Sequence, residues 1–267
     1  VSREAWILVV GVLAAVTLAG AGFAREDSRE APAFDSPMFA GSFEADGTAT
    51  ERRRARVRDS RAARVGGGGG SAVAIRAGHS IRLHDRPGAR TVAVLGARTP
   101  FGSPAVLPVV RRRHGWLGVL SASLPNGRVG WIRDDAAVLT HERVRVRVVV
   151  DRSERRLALL RDGREVASAD VGVGRSGSET PAGHFAVTDK LDGRRFASSY
   201  GCCILALSGR QPNLPAGWRG GDRLAIHGTG GASAAGVRSA GCVTVDEAPL
   251  RRLMEAVPLG ARVTIRP

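Results

Sequence analysis

The stretch "AIHGTGGASAAGVRSAGCVTV", Ala225 to Val245, decides how this chain is read. It continues the apolar run "DRLAIHGT", which places His227 where a strand meets a loop, and it ends in "SAGCVTV", which places Cys242 at the loop's far end. The Gly, Ala and Ser between them carry too little bulk to build a core, so something other than packing explains the loop. A thiol is a poor nucleophile until it is deprotonated, and its usual activator is a nearby imidazole. That imidazole needs its other nitrogen fixed, which a backbone carbonyl does as well as a carboxylate. Small residues beside the cysteine let successive N–H groups converge on one point, as an oxyanion hole requires. On spacing alone the ordinary alternative is a buried cysteine acting as a small apolar residue.

Outward from this loop the pattern is β. "EAPLRRLMEAV", Glu247 to Val257, has helical spacing, with Leu250, Leu253, Met254 and Val257 on one face. Upstream, "VRVRVVV" (144–150) and "RRLALLRDGREVASADVGVG" (155–174) predict a strand and then an Asp-Gly hairpin, and "ARVTIRP" closes the chain as a strand. Residues 143–267 therefore form a mainly β domain with one clear helix just after Cys242. From Ser71 to about Thr140, short apolar runs alternate with turn sequences such as "DRPG" and "LPNGRVG", where Asn126-Gly127 is a hairpin signal. This segment (71–140) reads as a small β-barrel and resembles the bacterial SH3-like domain, with "GWLGVLSASLPNGRVGWI" carrying the likeness. Trp116 and Trp131 either cap its core or stack on a ligand.

Three ordered elements give residues 143–267 a family resemblance. His-Gly near a strand end followed by Ser-x-Gly-Cys is similar to the signature of the L,D-transpeptidase catalytic (YkuD) domain. "VGVGRSGSETPAGHFAVTDK" matches the family's Thr-Pro-x-Gly-x-Phe segment at Thr180, Pro181, Gly183 and Phe185, and "SSYGCCILAL", around Tyr200 and Gly201, resembles a third element. The resemblance implies a β-sandwich fold, Cys242 as nucleophile and His227 as general base and then acid. It implies that the Gly228 carbonyl orients the imidazole, that the amides at Ala240, Gly241 and Cys242 line the oxyanion hole, and that Tyr200, Thr229, Arg238, Ser239 and Thr244 contact substrate. The chain departs from the family at Ala240, where many members have His, and at Thr244, where Arg or Asn is common. The implied reaction is acyl transfer on peptidoglycan stem peptides through a Cys242 thioester, forming 3→3 cross-links. Water as acceptor would make the protein an L,D-carboxypeptidase, and loss of activity would leave a wall-binding scaffold. Carbapenem-type β-lactams are implied inhibitors; no metal and no cofactor is implied.

Composition narrows the partners. Lys+Arg number 40 against 25 Asp+Glu, a formal +15, and Lys190 is the only lysine. A basic surface favours anionic partners such as a wall polymer or a membrane surface. Aromatics at 4% and the lack of any base-stacking motif argue against nucleic acid. Residues 5–24 are uncharged and as a helix would span about 30 Å, one bilayer core, so residues 1–24 read as a signal peptide or a membrane anchor. Residues 25–70 read as a flexible Arg/Gly-rich linker, whose "ERRRARVRDSRAAR" (51–64) is either a solvated tether or an electrostatic contact. The protein is thus expected outside the cytoplasm, anchored or secreted. Cys202 and Cys203 are read as structural thiols, because adjacent cysteines reach disulfide geometry only with a distorted backbone.

Overall fold

The computed structural model describes residues 70–218 and 221–267, all within one compact unit. The sequence expectations for residues 1–69 lie outside the described residues. Among the described residues, no helix is long and apolar enough to cross a membrane.

Two sheets account for most of the chain. The N-terminal one contains β1 (Gly70–Ile75), β2 (Ser80–His84), β3 (Thr91–Gly96), β4 (Val106–Arg113), β5 (Trp116–Val119), β6 (Gly130–Arg133) and β7 (Leu139–Val144). It is antiparallel throughout, in the order β3-β2-β6-β5-β4-β1-β7. Val73, Leu83, Leu117, Val119, Ile132 and Leu139 are fully buried in one cluster, so the sheet curls around its own core. The turn at Asn126-Gly127 forms, with Arg128 N–H donating to the Pro125 carbonyl at 3.2 Å and Gly127 at φ +76°. It sits inside the longer β5–β6 connection rather than closing a two-residue hairpin. Trp116 lies edge-on to His84, with the Arg133 guanidinium 4.6 Å over its ring.

The second sheet holds β8 (Val146–Asp151), β9 (Arg156–Arg161), β10 (Arg164–Gly174), β11 (Gly183–Asp192), β12 (Cys203–Arg210), β13 (Arg223–His227), β14 (Arg238–Ser239), β15 (Val243–Val245) and β16 (Arg262–Arg266). Its order is β14-β10-β15-β13-β12-β11-β16-β8-β9. The β9–β10 turn is the Asp-Gly hairpin read from the sequence, with both Asp162 (φ +51°) and Gly163 (φ +83°) left-handed, as the tight hairpin turn demands. β10 pairs with β9 over Arg164–Asp170 and with β15 and β14 over Val171–Gly174, so this one strand links the two ends of the sheet order. Helix α1 (Glu247–Ala256) buries Leu250 and Leu253 against the sheet, as its spacing predicts.

The two sheets dock. Ala72 and Val106 of the first join the core of the second, where Val106 packs on Gly260 so closely that a Cβ there would fall 2.6 Å from its Cγ1. Asn126 clamps the Arg210 backbone from both sides, donating to its carbonyl at 2.7 Å and accepting from its N–H at 2.9 Å. Thr99 Oγ1 donates to the fully buried Asp189.

The expectation for the adjacent cysteines is corrected: a disulfide joins Cys202 to Cys203. The chain turns at Gly201, which has a positive φ of 63°, and Cys202 N–H is held by Glu247 Oε1 at 2.9 Å. That reversal supplies the non-extended backbone that adjacent cysteines need and that a continuous strand would not.

Candidate active site

Strand register builds the site. β13 and β15 run parallel with Ile226 beside Val243 and His227 beside Thr244. One residue earlier, Cys242 falls beside Ala225. Residues two apart on a strand share a face, so Ala225 and His227 look the same way as Cys242 and Thr244. Cys242 immediately precedes β15, and its Sγ donates to the Arg223 carbonyl of β13 at 3.9 Å. Ala225, His227, Cys242 and Thr244 all line one cavity of about 220 Å³. Its floor is the apolar Ile204, Ala206 and Ala225, with Leu191, Phe196 and Tyr200 packed against it.

His227 is buried at the end of β13, and its Nδ1 lies 2.6 Å from the Gly228 carbonyl. A carbonyl only accepts, so Nδ1 carries the proton and Nε2 keeps its lone pair. Burial pushes the imidazole pKa down to about 4, although the Gly228 bond opposes the shift. Burial likewise pushes the Cys242 thiol up to about 11, against a lowering contact from the Ala225 backbone. The resting pair is therefore neutral thiol and neutral imidazole. Tyr200 stacks its ring edge-on to His227 with centroids 4.7 Å apart, and burial, followed by the nearness of Cys242, raises its phenol. The Tyr200 carbonyl accepts the Gly228 N–H at 2.9 Å, so the third sequence element supports the residue that holds the imidazole.

The loop before Cys242 is braced from below. Ser239, buried, donates through Oγ to the Cys242 carbonyl at 2.5 Å and accepts the Gly241 N–H at 3.0 Å. The Gly241 amide, an expected oxyanion donor, is thus already engaged. Gly241 takes φ +124°, and a Cβ there would fall 1.9 Å from Gln211 Nε2. Gln211 is itself buried and donates to the carbonyls of Ser178, Glu179 and Ala240 at 3.0–3.2 Å. It ties the cysteine loop to the segment before the Thr-Pro-x-Gly-x-Phe element, whose Thr180 Oγ1 accepts the Gly174 N–H at 2.8 Å.

The expected substrate residues divide. Tyr200, Thr229, Ser239 and Thr244 line the cavity; Arg238 is exposed and does not. The Thr229 hydroxyl is turned onto the Ala232 carbonyl, and Thr244 is buried with Oγ1 3.4 Å from the Ala234 carbonyl. Sequence reasoning missed Gln211, Phe101, Phe196, Arg223 and Trp218. Arg223 has a sequence signal, since it stands two and four residues before Ala225 and His227 on the same strand face. Gln211 has none, because its loop "RQPNLPAGW" carries no periodicity.

Residues 145–265 match the model of the L,D-transpeptidase catalytic domain, YkuD, in agreement with the resemblance read over 143–267. No curated protein gives a match. Among solved structures, Bd1075 of Bdellovibrio bacteriovorus is 20% identical, with 46% of this chain and 48% of that one covered and a TM-score of 0.38. L,D-transpeptidase 3 from Mycobacterium tuberculosis, in complex with a faropenem-derived adduct, is 16% identical over 52% of this chain and 73% of that one, with a TM-score of 0.37. An L,D-transpeptidase (Yku) from Stackebrandtia nassauensis is 20% identical over 46% and 55%, with a TM-score of 0.34. The chain spans about half the length of the first and third of these.

Proposed function

We propose, from the L,D-transpeptidase catalytic domain at 145–265, that this protein transfers acyl groups between peptidoglycan stem peptides outside the cytoplasm. The observation that carries the reading is the shared cavity of Cys242 and His227, with the imidazole held in the tautomer whose Nε2 accepts a proton.

The neutral resting pair dictates the order of events. As Sγ attacks the carbonyl of the third, diamino-acid residue of a donor stem, the thiol proton passes to His227 Nε2. The new C–S bond and the displaced carbonyl electrons give a tetrahedral oxyanion, which the amides of Ala240 and Cys242 meet. Collapse breaks the C–N bond to the terminal D-alanine, whose amine takes the proton back from His227, and a thioester on Cys242 remains. The side-chain amine of a second stem then attacks the thioester carbonyl and gives a proton to His227. Collapse breaks the C–S bond, the sulfur takes that proton back from His227, and a 3→3 cross-link and the free thiol remain. Carbapenem-type β-lactams would acylate the same sulfur. The basic surface and the arginine-rich segment 51–64 suit a contact with an anionic wall polymer or membrane surface.

The test is the full chain incubated with a tetrapeptide stem, followed by intact mass and product analysis. A thioester adduct on Cys242, D-alanine release and a cross-linked dimer, all absent in Cys242→Ala, are expected. D-alanine release with tripeptide alone would replace transpeptidation by hydrolysis, and release that survives Cys242→Ala would end the reading.

A further inference from the structure

One residue of the catalytic cavity comes from outside the catalytic domain. Phe101, from the β3–β4 connection of the N-terminal sheet, lines the same cavity as Cys242 and packs edge-on to Phe196, with ring centroids 6.2 Å apart. Its loop is closed by short-range bonds. Thr99 N–H donates to the Ser103 carbonyl at 2.8 Å, Gly102 N–H to the Thr99 carbonyl at 2.9 Å and Arg98 Nη1 to the Gly102 carbonyl at 2.6 Å. Thr99 anchors the loop to the buried Asp189 on β11, three residues before the strand ends. Phe101 is therefore held in place from both sheets rather than left to swing.

The cavity's lining is mixed. It holds the polar Ser239 and His227 and the charged Asp222 and Arg223, and beside them the apolar Leu191, Phe196 and Phe101. Leu191 and Phe196 pack on the same floor as Cys242. Leu191, Phe196 and Phe101 together offer an aromatic and aliphatic wall in the cavity that holds Sγ. Such a wall takes up methylenes and leaves a terminal ammonium to solvent.

We propose that Phe101 is a specificity-determining residue of the site, packing on the aliphatic side chain of the donor's diamino-acid residue, so that the N-terminal sheet forms part of the substrate pocket. This rests on the proposed function above.

The experiment uses the full chain and two tetrapeptide donors, one with lysine in third position and one with 2,3-diaminopropionate, whose side chain is three methylenes shorter. Phe101→Ala is expected to raise KM for the lysine donor about fivefold to tenfold with kcat within about twofold. KM for the diaminopropionate donor should stay unchanged, and Phe101→Leu should restore most of the lysine preference. The rate of Cys242 alkylation by iodoacetamide should be the same in all three proteins. An unchanged KM, an equal effect on both donors or an altered alkylation rate in Phe101→Ala would each overturn the assignment. If the wild-type protein forms no thioester with either donor, the proposed function fails, which is a separate result from a thioester-forming enzyme indifferent to Phe101.

Discussion

His227 shows how one buried side chain sets two pH dependences, one of rate and one of stability, that both decline in acid. Its pKa falls from an ordinary 6.5 to about 4 through burial, while the Cys242 thiol rises from 9.0 to about 11 for the same reason. In the proposed mechanism, the base is ready wherever the imidazole is neutral. The rate of D-alanine release in a single turnover should be flat from about pH 5.5 to 9 and fall as pH drops through about 4. A sulfhydryl reagent titration giving a thiolate limb near pH 7 would contradict the neutral pair. For stability the sign is fixed by which state takes up protons. Between pH 6.5 and about 4 the unfolded chain binds a proton on this histidine and the folded chain does not, so stability drops as pH falls through that window. The expected loss is about 3 kcal/mol, and His227→Gln should abolish that part of the acid limb in denaturant melts at pH 7 and pH 4. The position of His227 was legible in the sequence, as was the Gly228 carbonyl partner implied by the family. What the sequence could not give was the depth of burial, because that depends on Tyr200 and on a floor built from β12.

At the scale of elements, the short β13–β15 pairing is what makes a His and a Cys fifteen residues apart into one site. The two strands and α1 were readable from apolar runs and from helical spacing, and the Asp-Gly turn from its dipeptide. The loop between them was readable only as small residues. Its shape is fixed by Gln211, which no local pattern marks, and by the left-handed φ of Gly241. Gly241→Ala should cost more than an ordinary surface substitution twice over, through the disfavoured backbone and through collision with Gln211. A loss of roughly 2–4 kcal/mol and of nearly all thioester formation is expected. Gln211→Leu keeps the bulk but leaves the carbonyls of Ser178, Glu179 and Ala240 without their donor. Melting should move by about 1–3 kcal/mol, and kcat should fall more than KM rises, since the loop that carries Cys242 is released while the outer pocket is kept. A Gln211→Leu enzyme with wild-type kcat would show that the loop holds its own shape. The adjacent-cysteine disulfide belongs to this scale too: the sequence pair is uninformative until Gly201 and Glu247 are seen to hold the chain in a turn.

At the scale of the whole molecule, the β-rich N-terminal segment was readable as strands, but its relation to the catalytic domain was not, because docking depends on single polar residues in turns. Asn126 is the clearest case. As a sequence it signals a turn; in the fold its amide pairs with the Arg210 backbone at 2.7 and 2.9 Å, while Arg210 Nη2 returns to the Ala122 carbonyl at 3.2 Å. Thr99 is the second case, through Asp189. Neither residue lines the cavity that holds Cys242 and His227. If the N-terminal sheet were only a spacer, loosening these contacts would change stability and nothing else. If Phe101 reaches the substrate, loosening them displaces it. The double variant Thr99→Val, Asn126→Ala should lose about 2–4 kcal/mol, since it strips one buried carboxylate and one backbone segment of their partners. It should also raise KM for the lysine-containing donor in the same direction as Phe101→Ala. Adding Phe101→Ala to the double variant should then change KM little further, because both act on the same contact. Full additivity of the two effects would separate docking from recognition and return the N-terminal sheet to the role of a support.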